Sequence, residues 1–209
     1  MNNAHEIRAF NSDPFGYCST VWHEWNCVQE RAGFSISFPK SPTSEELKNP
    51  IFWICQSKSL SESAKILIRT EPDFSAMPAT MYSICHRQYL ASSLMLMGYS
   101  LEVLFKALSI QQLGIEAYTK KERKYFSHRL TWLVGQHTEI NSQERAVLEC
   151  LTHFIYWAGR YPDHGTGEES KLEDIFLISE GNKISMKELS TVLDKFTKFA
   201  TNKIIELIK

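Results

Sequence analysis

The sequence predicts an all-α protein, an antiparallel helical bundle with an N-terminal helical extension. Three observations lead there. Apolar residues recur at helical spacing over three long segments, 79–113, 142–159 and 185–208. Residues that cap helices stand at the ends of these segments. No two alternating segments could pair into a strand ladder, and no internal repeat is present. The chain has 209 residues, 43% of them hydrophobic and 22% charged, which suits one globular core plus an extension. The expected division is 1–78, an N-terminal helix and proline-rich excursion packed on the core, and 79–209, the bundle itself.

The first element runs from about Asp13 to Ala32. Phe15, Cys18, Val21, Trp22, Trp25 and Val28 share a helical face. Asp13-Pro14 reads as an N-cap followed by proline in the first helical position, and Gly33 as the stop. Phe34 to Lys58 contains Pro39, Pro42 and Pro50 and is expected to be an ordered excursion, with IFWIC docking on the core. FSISF alternates, but a lone short strand makes no sheet. A short helix follows over Ser61 to Thr70, then a turn-rich link, EPDFSAMP.

The longest pattern covers Ala79 to Leu113. Ile84, Ala91, Leu94, Met95, Gly98, Leu101, Phe105 and Leu108 form its stripe, and Gly114 ends it. Gly98 costs about 1 kcal/mol relative to alanine inside a helix, which close approach of a neighbouring helix would justify. Met95, Met97 and Tyr99 point to more than one side and call for partners all round. A short helix is expected near Ser127, with Leu130, Leu133 and Val134 inward. Asn141-Ser-Gln-Glu144 is a capping box for the next helix. Its stripe is Val147, Leu148, Leu151, Phe154, Ile155 and Ala158, and Gly159 and Pro162 end it. Gly165 and Gly167 give a flexible bend. Ser185-Met-Lys-Glu188 is a second capping box, opening a helix with Leu189, Val192, Leu193, Phe196, Ala200, Ile204 and Leu207 on one face.

A net charge of −1 gives no bulk attraction to nucleic acid or membrane, so any such site must be a local patch. The cysteines Cys18, Cys27, Cys55, Cys85 and Cys150 are odd in number, and no two stand at CxxC spacing. Reduced thiols in a cytoplasmic protein are expected. The N-terminus has no signal-peptide pattern. The most apolar region, Ser92 to Leu108, is interrupted by Glu102 and Lys106, so no membrane span is expected. Zincin spacing, a P-loop and a GxSxG elbow are all missing, and neither metal nor cofactor is called for.

Three pieces, in order, resemble a known family. They are GYSLEVLFKALSIQQLG, with Glu102 and Lys106 one turn apart; SHRLTWL, with His128; and YWAGRYP, closing the following helix. Together they resemble the HEPN superfamily of small prokaryotic helical domains, in the branch with a WAGRYP-type helix-end corner. The resemblance covers roughly Met81 to Pro162. It implies a four- to five-helix bundle, often dimeric, in toxin–antitoxin or phage-defence systems. Many members cut RNA, and others bind or regulate without catalysis. Nuclease members carry an arginine and, four to six residues on, a histidine. Here three residues, one of them Pro162, separate Arg160 from His164.

Arg160 and His164 suit metal-independent RNA cleavage, the histidine as base and the guanidinium for phosphorane charge. The plainer alternative is helix termination, with Arg160 on the last carbonyls. Tyr161 and Trp157 are expected to pack over the bend, and Gly159 to take a positive φ. Glu102 and Lys106 form an i,i+4 pair, either solvated or beside a phosphate groove with Arg160. His128, in the first turn of its helix, is a further ligand candidate. Lys120, Lys121, Arg123, Lys124 and Arg129 form a basic patch interleaved with Tyr118, Tyr125 and Phe126. The patch suits phosphates and stacked bases, or is simply a solvated loop.

The reading from sequence is a binding module for RNA, a nucleotide or a protein partner such as a cognate antitoxin or effector. The alternatives are a metal-independent endoribonuclease using Arg160 and His164, and a structural module that dimerises. A homodimer is expected.

Overall fold

A computed structural model of the chain describes residues 3–35, 41–162, 165 and 170–208. Every regular element among them is helical, as expected for an all-α bundle. They fall into two compact units, Met1–Phe52 and Trp53–Lys209. The division lies inside a helix, upstream of the link before Ala79 where the sequence reading places it.

In the first unit, α1 (Asn3–Ser12), α2 (Pro14–Ser19), α3 (Val21–Arg31) and α4 (Ser44–Leu47) follow one another. The single helix expected over 13–32 is two, broken at Thr20. Asp13 caps α2 by accepting the Gly16 N–H at 2.9 Å, and Gly33 takes φ +91° just beyond α3. The apolar face is less packed than its pattern implies. Phe15 is 87% exposed, and Val21 and Val28 are exposed too. Trp25 does find an edge-on partner in Phe52, at 6.1 Å between centroids. Of FSISF only Phe34 and Ser35 are described, and neither is in a strand.

α5 (Pro50–Arg69) runs from the first unit into the second. The sequence reading makes IFWIC an irregular segment and starts a helix only at Ser61, but helix begins at Pro50. Proline fits there because the first helical N–H has no intrahelical partner to lose. Asn49 Oδ1 accepts the Ile51 N–H at 3.0 Å and fixes the start.

The second unit is built on α6 (Ala79–Leu113), which Gly114 ends at φ +79°. After α6 come α7 (Ile115–Lys120), α8 (Glu122–Tyr125), α9 (Leu130–Gly135) and α10 (Ser142–His153). A π-helical turn (Phe154–Ala158), α11 (Ser170–Gly181) and α12 (Met186–Ile208) complete it. α6 packs against α12, the π-turn, α7, α9 and α10. Leu101, Phe105 and Leu108 of α6 are fully buried with Leu130, Leu133, Val134, Leu148 and Ile204. Phe105 lies 6.1 Å from Phe196 and 6.4 Å from Phe199, tying α6 to α12. Ile84, placed on this stripe by spacing, is exposed. Side chains that make α6 apolar on several sides are taken up within the chain: Met97 is buried, Met95 meets Gly159, and Tyr99 meets His128.

Asn141 and Glu144 form the expected capping box, bonded reciprocally at 2.9 and 3.1 Å. Burial raises the Glu144 carboxyl, but the Lys195 ammonium and the Asn141 bonds outweigh it and leave it below its ordinary value. α11 has no counterpart in the sequence reading. Its Phe176 and Leu177 are exposed, so it has no clean apolar stripe.

By length and composition α6 could cross a membrane, contrary to the sequence reading, with an 18-residue window of mean hydropathy 1.4. That window is 72% buried inside the bundle, as a core helix would be.

Candidate functional site

Two glycines set how closely α6 meets the end of α10. A Cβ on Gly98 would sit 2.6 Å from Ile155 Cγ1 and 3.2 Å from the Leu151 carbonyl oxygen, so the expected close approach is real. A Cβ on Gly159 would collide with Met95 Cβ and lie 2.9 Å from the Phe154 carbonyl oxygen. Gly159 therefore serves contact, not chain reversal. Its φ is −87°, not the positive value expected.

The π-turn was not foreseen. Gly159 N–H bonds the Phe154 carbonyl at 3.1 Å, five residues back, while Arg160 and Tyr161 N–H groups both turn to the Trp157 carbonyl at 2.8 Å. Side chains serve two of the carbonyls between. Tyr99 Oη donates to Ile155 O at 3.4 Å, and Arg160 donates a guanidinium N–H to Tyr156 O. The expected helix-terminating bond of Arg160 is present. Its guanidinium also lies 5.4 Å over the Tyr161 ring. Arg160 and Tyr161 are exposed, while Trp157 is buried. His164 lies outside the described residues, so the Arg160–His164 pair has no geometry to report.

Glu102 and Lys106 are not the solvated pair the sequence allows. Their side chains are 5% and 10% exposed, and Lys106 Nζ donates to Glu102 Oε1 at 2.6 Å. The second carboxylate oxygen takes His128 Nδ1 at 2.9 Å. A carboxylate can only accept, so Nδ1 carries the proton and a neutral His128 keeps Nε2 as an acceptor. His128 stands two residues before α9, not in its first turn as expected. Its orientation comes from Glu102 rather than from a helix dipole. The Leu130 N–H, bonded to Thr152 Oγ1 at 3.2 Å, pins this approach to α10. The imidazole is 36% exposed and meets Tyr99 and Tyr156 edge-on at 6.1 and 6.0 Å.

Tyr156 thus joins the halves of the site, its ring against His128 and its carbonyl under Arg160. Glu102, Lys106, His128 and Arg160, chosen from sequence, converge with Tyr99 and Tyr156, which were not. Both tyrosines carried a signal in their spacing. Tyr99 is three residues before Glu102, and Tyr156 four before Arg160, so each shares its partner's helical face.

The basic patch differs from expectation. Tyr118 and Tyr125 do not present their rings for stacking. They are buried against each other at 4.8 Å, and Tyr125 continues to Trp132 at 5.5 Å. Burial pushes the Tyr118 phenol far above its ordinary value. Lys124 lies over Trp132 at 5.2 Å, and Lys120 pairs with Glu116 at 2.6 Å. Lys121, Arg123 and Arg129 are cationic side chains at or near the surface, and Phe126 is exposed. Among the described residues, no three His, Cys, Asp or Glu side chains gather as metal ligands.

Compared with known proteins, the chain matches no family model, no curated protein and no solved structure.

Proposed function

We propose that the chain is a HEPN-like binding module of a prokaryotic defence or toxin–antitoxin system, and that the corner around Tyr156 binds single-stranded RNA. One observation carries this reading: a Glu102-oriented imidazole and an exposed guanidinium flank the same tyrosine. Phosphate matches the guanidinium fork, and the exposed rings of Tyr156, Tyr161 and Phe126 are surfaces on which bases stack. The π-turn supports the reading, since such turns occur often at functional sites. Arg123, Arg129 and Lys121 would extend the phosphate track. Photocrosslinking to a uridine-rich RNA tests the proposal. Crosslinks are expected in the peptides carrying Phe126 and Tyr156–Tyr161, and crosslinks confined to other peptides would refute it.

A second reading, metal-independent RNA cleavage, is favoured by the Glu102–His128 bond. It leaves Nε2 as a proton acceptor and gives the base role to His128 instead of His164. Incubating RNA with the protein and a chelator separates the readings. Cutting lost in His128→Ala but retained in His164→Ala would establish the second, and intact RNA would rule it out.

A further inference from the structure

We infer that His128 binds RNA phosphate only as an imidazolium, so that RNA binding takes up a proton and tightens as the pH falls. The inference rests on the assignment of the corner around Tyr156 to RNA.

The reason lies in the tautomer. Nδ1 of His128 is 2.9 Å from Glu102 Oε2, and a carboxylate only accepts, so the neutral ring carries its proton on Nδ1. Nε2 is then a bare acceptor. A phosphate oxygen is an acceptor too, and two acceptors do not bond. Moving the proton across to Nε2 would set a bare Nδ1 against the carboxylate of Glu102, which is 5% exposed and would lose that donor. The ring meets phosphate by gaining a second proton. A 2′-hydroxyl is the opposite case, because it can donate to the bare Nε2 and would favour the neutral ring.

Charges around the ring make the second proton depend on the ligand. From α6, Glu102 supports an imidazolium through the same bond, while Lys106, at 2.6 Å from the other carboxylate oxygen, opposes it. From the end of the π-turn, Arg160 opposes it as well, bonded to the carbonyl of Tyr156, whose ring meets His128. Arg129 follows His128 in the chain and adds a third cation. Tyr99 and Tyr156 present neutral rings edge-on. One carboxylate against these cations disfavours a further positive charge in the free protein. A phosphate on the exposed side of the imidazole, which is 36% exposed, supplies the missing negative charge. The sign follows. The contact is complete where the ring is charged, and it is lost as rising pH strips the proton from the bound form.

Fluorescence anisotropy of a labelled uridine-rich RNA at pH 6, 7 and 8 and constant salt tests this, with calorimetry in two buffers of different ionisation enthalpy to count protons. Wild type is expected to bind about fivefold or more tightly at pH 6 than at pH 8, within the limit of about tenfold per pH unit that one proton sets. Calorimetry should show net proton uptake. His128→Gln, whose amide can still donate to Glu102, should bind with neither pH dependence nor uptake. His164→Gln should keep both, and circular dichroism at each pH confirms that the proteins are folded. Wild-type affinity that is flat across this range, or that falls at pH 6, overturns the inference and leaves the RNA corner standing. So does a pH dependence that persists in His128→Gln or vanishes in His164→Gln. Absence of RNA binding at all three pH values refutes the RNA corner, and this inference with it.

Discussion

The carboxylate of Glu102 holds Nδ1 of His128 at 2.9 Å while its other oxygen holds Lys106 at 2.6 Å, all but shielded from solvent. A buried carboxylate with two cationic or N–H partners is costly to disturb from one side. Glu102→Gln leaves the Lys106 ammonium without its counter-charge and is expected to cost about 3–5 kcal/mol. The double variant Glu102→Gln, Lys106→Met removes both charges and should recover at least half of that. Urea unfolding of the three proteins measures both. A single variant as stable as wild type would mean the pair is solvated after all.

Gly159→Ala tests the contact at the end of α10. Its φ of −87° suits alanine, so any cost comes from the collision with Met95 and the Phe154 carbonyl. Overpacking of this kind costs about 1–3 kcal/mol. Because a backbone oxygen is one of the colliding atoms, rotamer changes alone do not relieve it. A thermal midpoint equal to wild type would show that α6 and the π-turn are not in tight contact.

How much of this was legible follows from what kind of information each feature needs. Gly98 was readable because a glycine inside a long apolar helix costs stability and so implies a neighbour. Gly159 carried the same signal, but it also stands where the helix ends, and the stop alone accounted for it. Spacing placed Glu102 and Lys106 together on one face, yet only the packing of α9 and α10 against α6 buries them. The π-turn comes at the end of the α10 stripe, where too few residues follow for its shift of phase to show in the periodicity. Tyr118 and Tyr125 looked like exposed rings because charges surround them in sequence. On α7 and α8 Lys120, Lys121 and Arg123 are exposed while the rings turn inward. Pro50 reads as a breaker in sequence but opens a helix when its cap, Asn49, precedes it.

His137 gives a pH dependence with a definite sign. Its nitrogens bond Ser109 Oγ and Gln112 Oε1, both at 2.9 Å, and burial lowers its pKa below the ordinary 6.5. A histidine that resists protonation when folded contributes full stability above its unfolded pKa. That contribution is lost as the pH falls from there toward the folded value. The stability advantage of wild type over His137→Gln should therefore shrink between about pH 7 and pH 5. Denaturant titrations across that range check it, and a constant or growing advantage would contradict it.

The thiols should separate by exposure and acidity. Cys18 and Cys55 are exposed, while burial pushes the Cys150 thiol up to about 11. Thiolate is the reacting form, so iodoacetamide at about pH 8 should label Cys18 and Cys55 in the native protein. Cys150 should label only in denaturant. Peptide mass spectrometry reads the order, and early modification of Cys150 would contradict its burial.

The most direct measurement of the RNA-binding claim is fluorescence anisotropy of a labelled single-stranded RNA, titrated with wild type and Arg160→Ala at two salt concentrations. Arg160 is exposed, and among the described residues its guanidinium bonds its own turn, so its loss should leave the circular dichroism unchanged. Wild type is expected to bind, and more weakly at the higher salt. Arg160→Ala should bind about tenfold less tightly with a shallower salt dependence, as the loss of one phosphate contact requires. Equal affinity of the two proteins, or no binding by wild type at either salt, would contradict the assignment of this corner to RNA.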